Sequence, residues 1–202
     1  MAPAMHNGND GGPRHDDGIG GSRRDASAVG ERPVQEDRPS AGSNEPQTLK
    51  ASAYEECYGA IVAIWKDEGG NSLDDIALMA TINSILSNRF STYYWTGFYR
   101  VCGDRLVVGP YIGTVGCLQI QFGRGVCGTA AAKRETLIVA DVNQFPGHIA
   151  CDAASKSEIV MPVFGPANEL IAVFDVDSDQ PRAFEEEDRI GLERIMALFR
   201  QA

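Results

Sequence analysis

Three cysteines lie close together in the sequence, within glycine-rich turns and loops: Cys117, Cys127 and Cys151. A thiol is a nucleophile or a redox group only as the thiolate, which needs solvent access and a nearby stabilising group. Cys151 precedes the small residues 153–155, and we expect it near a helix N-terminus, where backbone N–H groups would stabilise a thiolate. Any one of these cysteines alone is typical of a structural thiol, and the small residues around Cys127 favour its burial. Together with the acids near them, the three favour redox chemistry.

Three acidic residues belong to a predicted hairpin near the end of the chain. Asp175 and Asp177 are two apart in one predicted strand, so their side chains point to the same face of the sheet. Glu158 opens the neighbouring strand. Such a group could bind an ammonium ion, or hold one carboxyl protonated as a general acid, because like charges at close range raise one pKa. The alternative is a solvated strand end, which we favour for Asp177 taken alone.

Two aromatic residues are four apart in an earlier predicted strand. Trp95 and Tyr99 therefore share one face of that strand. Core packing is the usual role of such residues, and the wall of a pocket for a small, partly apolar ligand is the alternative.

Metal and nucleotide sites find little support in the sequence. A nominal Cys₃His set is present, consisting of Cys117, Cys127, Cys151 and His148. Its members lack the closely spaced cysteine pairs that are usual in structural zinc sites, and we expect no metal. The glycine-rich segment 122–128 lacks the Lys-Ser/Thr ending of a phosphate loop. We interpret its glycines as a tight turn and expect no cofactor.

The composition excludes several classes of protein. With 28 acidic and 18 basic residues the net charge is -10, and the basic residues are scattered, so we expect no nucleic-acid partner. No apolar run has the length of a membrane span or the character of a secretory signal, so we expect no membrane partner and a cytoplasmic location. The odd number of cysteines, five, argues against a fully paired secreted framework.

The chain divides into a tail and one domain. Residues 1–48 contain eight Gly, five Pro and no Phe, Trp or Tyr, and too little apolar surface to offset the entropy of ordering; we predict a disordered tail. Residues 49–202 show helical periodicity at both ends and alternating strands between them. The pattern predicts two helices, the second capped by Asn71 or Ser72, and a last helix over 183–201. Six strands are predicted over 93–101, 105–109, 118–121, 136–140, 158–164 and 170–176, which indicates an α+β fold.

Five segments, taken in order, resemble the free methionine-(R)-sulfoxide reductases, a catalytic branch of the GAF-domain superfamily. They are WTGFY (95–99), GPYIG (109–113) with Cys117, GRGVCGTAA (123–131), FPGHIACDAASKSEIVMPV (145–163) and FDVDS (174–178). The resemblance covers roughly residues 50–202. It implies a GAF-like central antiparallel sheet flanked by helices, commonly a homodimer, and free L-methionine-(R)-sulfoxide as the substrate.

The resemblance also implies roles for the cysteines. Cys151 would attack the sulfoxide, Cys117 would be its usual disulfide partner, and Cys127 would be an alternative resolving or relaying thiol. Reduction would pass through a sulfenic acid and an intramolecular disulfide, which a thioredoxin-like dithiol protein would reset.

The pocket residues receive roles in the same way. Glu158, Asp175 and Asp177 would bind the substrate and protonate its oxygen, and Trp95 and Tyr99 would surround its methyl group. Acids that hold an ammonium group would select the free amino acid, because a peptide nitrogen carries no charge. Two other functions remain open: a non-catalytic GAF module that senses a small molecule, and a thiol-based redox switch or metal sensor.

Overall fold

The computed structural model describes residues 47–67, 74–149 and 153–201. Within them the elements follow the order α1 (Gln47–Asp67), α2 (Asp75–Arg89), β1 (Trp95–Cys102), β2 (Arg105–Ile112), β3 (Gln119–Gln121), α3 (Gly125–Lys133), β4 (Leu137–Val139), β5 (Ser157–Phe164), β6 (Leu170–Ser178) and α4 (Glu186–Met196). Short 3-10 helices span Val142–Gln144 and Ala197–Arg200. The predicted disordered tail, apart from residues 47 and 48 in α1, lies outside the described residues, as does Cys151.

The six strands form one antiparallel sheet in the order β3-β2-β1-β6-β5-β4. The paired strands are antiparallel throughout, and β1 and β6 occupy the centre. All six strands were predicted from the sequence, and the α+β fold is confirmed. The β1–β6 and β5–β6 registers set Asp177 opposite both Trp95 and Glu158. Residues from three separate segments thereby meet on one face of the sheet.

Helices cover both faces of this sheet. The face that presents Phe98 and Phe174 packs against α1, α2 and α4 in one apolar core. The opposite face presents Trp95, Tyr99 and Val173, and it packs against α3 in a second cluster that includes Cys127. The alternation of side chains along β1 explains why Phe98 and Tyr99 enter different cores. The predicted site residues lie on the α3 side.

The ends of two helices differ from the sequence prediction. The N-cap of α2 is Asp74, whose carboxylate accepts a hydrogen bond from the Ile76 N–H at 2.7 Å, so the prediction of Asn71 or Ser72 was wrong. Those two residues lie outside the described part, but the helix begins too far beyond them for either to cap it. The last helix, predicted over 183–201, begins at residue 186 after a capping box between Glu185 and Asp188.

Helix α3 was not predicted, and the structure corrects the interpretation of its segment as a glycine-rich turn. Gly125 has a φ of 60°, and only from there does the chain continue as a helix through Lys133. A Cβ at Gly128 would lie 2.2 Å from the carbonyl oxygen of Gln121, so this position needs glycine for close approach of two backbones. The helix therefore packs directly on the turn after β3, which fixes Cys127 in its first turn. None of the helices within the described residues is both long and apolar enough to cross a membrane.

Candidate active site

A small cleft opens on the α3 side of the sheet, between β1, β5, β6 and the loops before α3 and β5. Six residues singled out from the sequence line it: Trp95, Tyr99, Cys127, Glu158, Asp175 and Asp177. Cys117 follows the lining residue Gly116, while Cys151 lies outside the described residues. The structure thus brings together all the predicted pocket acids and aromatics, which come from three strands.

Two of the carboxyl groups are buried in the cleft floor. Glu158 and Asp175 are each 5% exposed, and one oxygen of each, Oε1 and Oδ1 respectively, is buried without a hydrogen-bond partner. Burial raises the pKa of both groups well above the ordinary carboxyl range, and each is raised further by neighbouring acids, with Asp177 acting on both. A solvated strand end is therefore wrong for this pair. The two carboxyls favour the protonated form, as a general acid requires.

Asp177 completes the acidic group at the more open side of the cleft. It is partly exposed, and its Oδ1 accepts a short hydrogen bond from the Ser155 hydroxyl. The sequence favoured a solvated strand end for this residue alone, whereas the structure places it in the cleft wall opposite Glu158. The three acids can therefore divide two tasks. The two buried acids can donate a proton, and the accessible acid, beside its hydrogen-bond donor, can carry a negative charge.

Cys127 contacts the same acids from the helix. Its Sγ donates a hydrogen bond to Asp175 Oδ2 at 3.1 Å, and the side chain is buried. Burial raises the pKa of the Cys127 thiol, and the charges of Asp175 and Glu158 raise it further. The prediction of a buried thiol is confirmed. In this arrangement Cys127 is a proton-bearing group, because the thiolate that attacks an electrophile is disfavoured among carboxylates.

The buried acids predict an unusual pH dependence of stability. Since the pKa of Asp175 is higher in the folded than in the unfolded protein, the stability that its protonated form contributes is complete below the unfolded pKa and is lost as pH rises through the folded one. We expect Asp175→Asn, which keeps an acceptor for Cys127, to gain stability over the wild type on going from pH 4 to pH 8. The gain, measured as the free energy of unfolding in urea, should be about 1.4 kcal/mol for each unit by which folding raises the pKa of Asp175 within that pH range.

The control for that measurement is Asp179→Asn, an exposed aspartate just beyond the end of β6. Its stability difference from the wild type should change little between the two pH values. A flat difference for Asp175→Asn as well would show that this carboxyl is not held protonated by burial.

The aromatic pair forms one wall of the cleft. The rings of Trp95 and Tyr99 stack with centroids 5.7 Å apart, and Tyr111 stacks on the outer side of Trp95 at 5.3 Å. The indole N–H donates to the Thr114 carbonyl at 3.0 Å, and the Tyr99 hydroxyl is hydrogen-bonded to the Cys117 backbone. The loop that carries Cys117 is therefore fastened to the aromatic wall. Of the two interpretations from the sequence, core packing and a pocket wall, both apply.

The remaining thiols differ in state. Cys57 is buried on α1 and Cys102 is exposed at the end of β1, both as free thiols outside the cleft. Cys127 is also free. Cys117 is half-buried beside the aromatic wall, and its sulfur is in a disulfide. The cysteine that the sequence places in a turn is thus one that takes part in a disulfide.

Comparison with known proteins agrees with this geometry. The sequence pattern of the GAF domain matches residues 60–202. The chain belongs to the GAF-domain family. The GAF domain-containing protein A of Dictyostelium discoideum is 42% identical to it over 160 residues, which cover 79% of this chain and 94% of that protein. The free methionine-R-sulfoxide reductase of Escherichia coli is 44% identical over 122 residues, which cover 60% of this chain and 73% of that protein.

A solved relative has a similar structure. The structure of the free methionine-R-sulfoxide reductase from Neisseria meningitidis in complex with its substrate superposes with a TM-score of 0.70 at 38% identity, covering 75% of this chain and 89% of that one. These relatives confirm the resemblance found in the sequence.

The cleft also contains two residues that the sequence did not assign to the site, His148 and Ser155. His148 lines the cleft with its Nε2 at 3.9 Å from Glu158 Oε1, and burial lowers the pKa of its imidazole. Ser155, noticed only as a small residue, holds Asp177. The sequence signal that could have identified these two residues as part of the site is their closeness to Cys151. Residues 153–154 form a turn and the chain then enters β5, so no helix starts at the small residues after Cys151; whether Cys151 lies near another helix N-terminus stays a prediction, because this cysteine is outside the described residues.

The GAF cleft also contains a group of side chains with metal-ligand chemistry. One ligand atom each of Cys127, Glu158 and Asp175 lie within 4.8 Å of one another. This is a different set from the cysteines and histidine that the sequence offered, since it joins one thiol to two carboxyls from neighbouring strands.

Proposed function

We propose that this GAF-domain protein reduces free L-methionine-(R)-sulfoxide to L-methionine. The observation that carries the proposal is the pair of buried carboxyls, Glu158 and Asp175, whose unpartnered oxygens and raised pKa values face an aromatic wall across a small cleft. A sulfoxide needs a proton on its oxygen as that oxygen leaves sulfur, and a buried protonated carboxyl is suited to give one. The named relatives with this activity support the assignment.

The cleft can also account for recognition of a free amino acid. Asp177, the partly exposed acid, would carry the negative charge that pairs with the substrate ammonium group, while Trp95 and Tyr99 would enclose the S-methyl group. A methionine sulfoxide residue inside a protein has an uncharged peptide nitrogen at that point. Pairing an acid with a peptide N–H would leave the acid's charge uncompensated in the cleft, which is costly.

The nucleophile in this proposal is Cys151. Its thiolate attacks the sulfur, a buried carboxyl protonates the oxygen, and the oxygen passes to the cysteine, giving L-methionine and a sulfenic acid. The high pKa of the Cys127 thiol supports this choice, because Cys127 is held protonated by the acids that must serve the oxygen. Cys127 then remains available as a further thiol for relay or resolution.

The second half of the cycle would use Cys117. Its thiol displaces hydroxide from the sulfenic acid, which leaves as water, and forms a disulfide with Cys151. The disulfide at Cys117, in a chain whose Cys57, Cys102 and Cys127 are free, supports that partner. A thioredoxin-like dithiol protein would then reduce the pair by exchange and become a disulfide itself.

The Cys117→Ser variant should separate the two halves. We expect about one methionine released per protein chain in a single turnover at nearly the wild-type rate, because the attacking thiol and the acids are intact. Multiple turnover with thioredoxin should fall by at least about 10-fold, since the sulfenic acid loses the partner that normally converts it to a disulfide and Cys127 is held protonated. Rapid-quench measurement of methionine tests this, and an equal loss in both regimes would place Cys117 in the oxygen-transfer step instead.

Three further properties belong to the same proposal. The catalytic domain comprises residues 49–202 together with residues 47 and 48 of α1, and we propose that the tail before them is disordered. A cycle that depends on reduced thiols suits the cytoplasm, where disulfides do not persist. We also propose a homodimer, following the resemblance stated from the sequence.

The proposal is tested by comparing free methionine-(R)-sulfoxide with its N-acetyl derivative, using the reduced full chain and a dithiol reductant. A kcat/KM at least about 100-fold higher for the free amino acid is expected, because acetylation removes the charge that Asp177 would bind. Equal turnover of both compounds would show that binding of the ammonium group does not contribute to substrate selection.

A further inference from the structure

The thiol and carboxyls in the cleft floor are spaced as a metal ion would need them. The ligand atoms of Cys127, Glu158 and Asp175 lie within 4.8 Å of one another, and the Cys127–Asp175 pair is 3.1 Å apart. Around a tetrahedral zinc ion, bonds of about 2.0–2.3 Å put neighbouring ligand atoms roughly 3.3–3.7 Å apart. Side-chain movements on the order of 1 Å would therefore close the three groups around one ion.

Two carboxyl oxygens of this ligand group are buried and unsatisfied. Glu158 Oε1 and Asp175 Oδ1 have no hydrogen-bond partner, although both residues are 5% exposed. A buried polar atom without a partner is costly, and coordination of a cation would satisfy it. The imidazole of His148 approaches from the cleft mouth, with Nε2 3.9 Å from Glu158 Oε1. It is not within 4.8 Å of all three ligand atoms, and it would have to move inward to serve as the fourth donor.

We propose that these four side chains form a binding site for one Zn²⁺ ion, which competes with the substrate. A thiolate and an imidazole select a borderline-soft ion and exclude Ca²⁺ and Mg²⁺, which prefer oxygen ligands alone. Binding releases the proton of the Cys127 thiol and those of protonated carboxyls to solvent, and no group is oxidised or reduced. Two ligands lie on the adjacent strands β5 and β6 and one in the first turn of α3, so most of the site is built on regular elements.

The regulatory consequence rests on the proposed function, whereas the ion site does not. A bound ion would occupy the carboxyls that receive the substrate and would remove the protons that they give to its oxygen. Zn²⁺ is then a reversible inhibitor of the reductase, relieved by a chelator and overcome by high substrate.

Co²⁺ is the probe for the site itself. The full chain is reduced with a phosphine, freed of reductant and titrated with Co²⁺ without oxygen. We expect a sulfur-to-cobalt charge-transfer band in the near ultraviolet that saturates at one ion per chain and disappears when Zn²⁺ is added. No such band, or one that saturates at several ions, overturns the proposal.

Variants identify the ligands. Cys127→Ser should remove the band, and Asp175→Asn, which nearly conserves volume, should weaken Co²⁺ binding by at least about 10- to 100-fold, the range found for lesser changes around metal sites. Cys102→Ser and Cys117→Ser should keep the band. Near-ultraviolet circular dichroism confirms that each variant is folded. A band that survives Cys127→Ser and is lost in Cys117→Ser would place the ion on other thiols and contradict the assignment.

The two claims fail separately. If Co²⁺ binds as expected but no sulfoxide is reduced, the ion site stands and the proposed function falls. If the reductase turns over but shows neither the band nor inhibition by Zn²⁺, the function stands and the ion site falls.

Discussion

The Cys151→Ser variant is expected to release no methionine from the free R-sulfoxide above the background rate. The serine hydroxyl is a far weaker nucleophile than a thiolate and cannot take the oxygen as a sulfenic acid. Loss of a nucleophile commonly lowers kcat by about 10⁴- to 10⁶-fold, which here places turnover below detection. The measurement is methionine release with a dithiol reductant, followed over several turnovers and also within a single one.

The matched control is Cys102→Ser, since Cys102 is a free thiol exposed at the end of β1, away from the cleft. It should turn over like the wild type. If Cys151→Ser retained single-turnover activity while Cys127→Ser lost it, the nucleophile would be Cys127, and the buried acids would have to deprotonate its thiol.

The Glu158→Gln variant should lower kcat/KM by about 10²- to 10⁴-fold, the usual contribution of a positioned general acid. The amide keeps the size of the side chain, but it cannot give a proton to the sulfoxide oxygen. Because burial and the neighbouring aspartates raise the pKa of Glu158, the wild-type rate should persist to higher pH than an ordinary carboxyl allows. It should fall as pH rises through that raised pKa, where the donor loses its proton.

The control is Glu169→Gln, the same substitution at an exposed residue beside the β5–β6 turn. It should leave both the rate and its pH profile unchanged. A Glu158→Gln profile with the same alkaline fall as the wild type would assign that fall to another group. An unchanged rate would show that Glu158 gives no proton in the reaction.

The strands could be predicted from runs of strand-forming residues bounded by turn signals, and the acidic group from the period of two along a strand. Asp175 and Asp177 share a face in any strand, and the short turn between β5 and β6 brings Glu158 beside them. The aromatic pair follows the same rule on β1. Local alternation and one turn were therefore sufficient to predict most of the cleft wall.

The helix that holds Cys127 could not be predicted, since its determinants are not local. Glycine is a poor helix former, so Gly125 and Gly128 argue for a turn. Gly128 is required by contact with Gln121, which becomes a neighbour only after the chain folds. The hydrogen bond from Cys127 to Asp175 joins residues 48 positions apart, and no spacing rule anticipates it.

The most direct test of the central claim is turnover of the separate R and S epimers of free methionine sulfoxide by the reduced full chain. We expect methionine to be released from the R epimer alone, with one disulfide formed per methionine released in the absence of reductant. Binding of the R epimer without any methionine release, by a folded and reduced protein, would contradict it and would indicate a sensing module on the same fold.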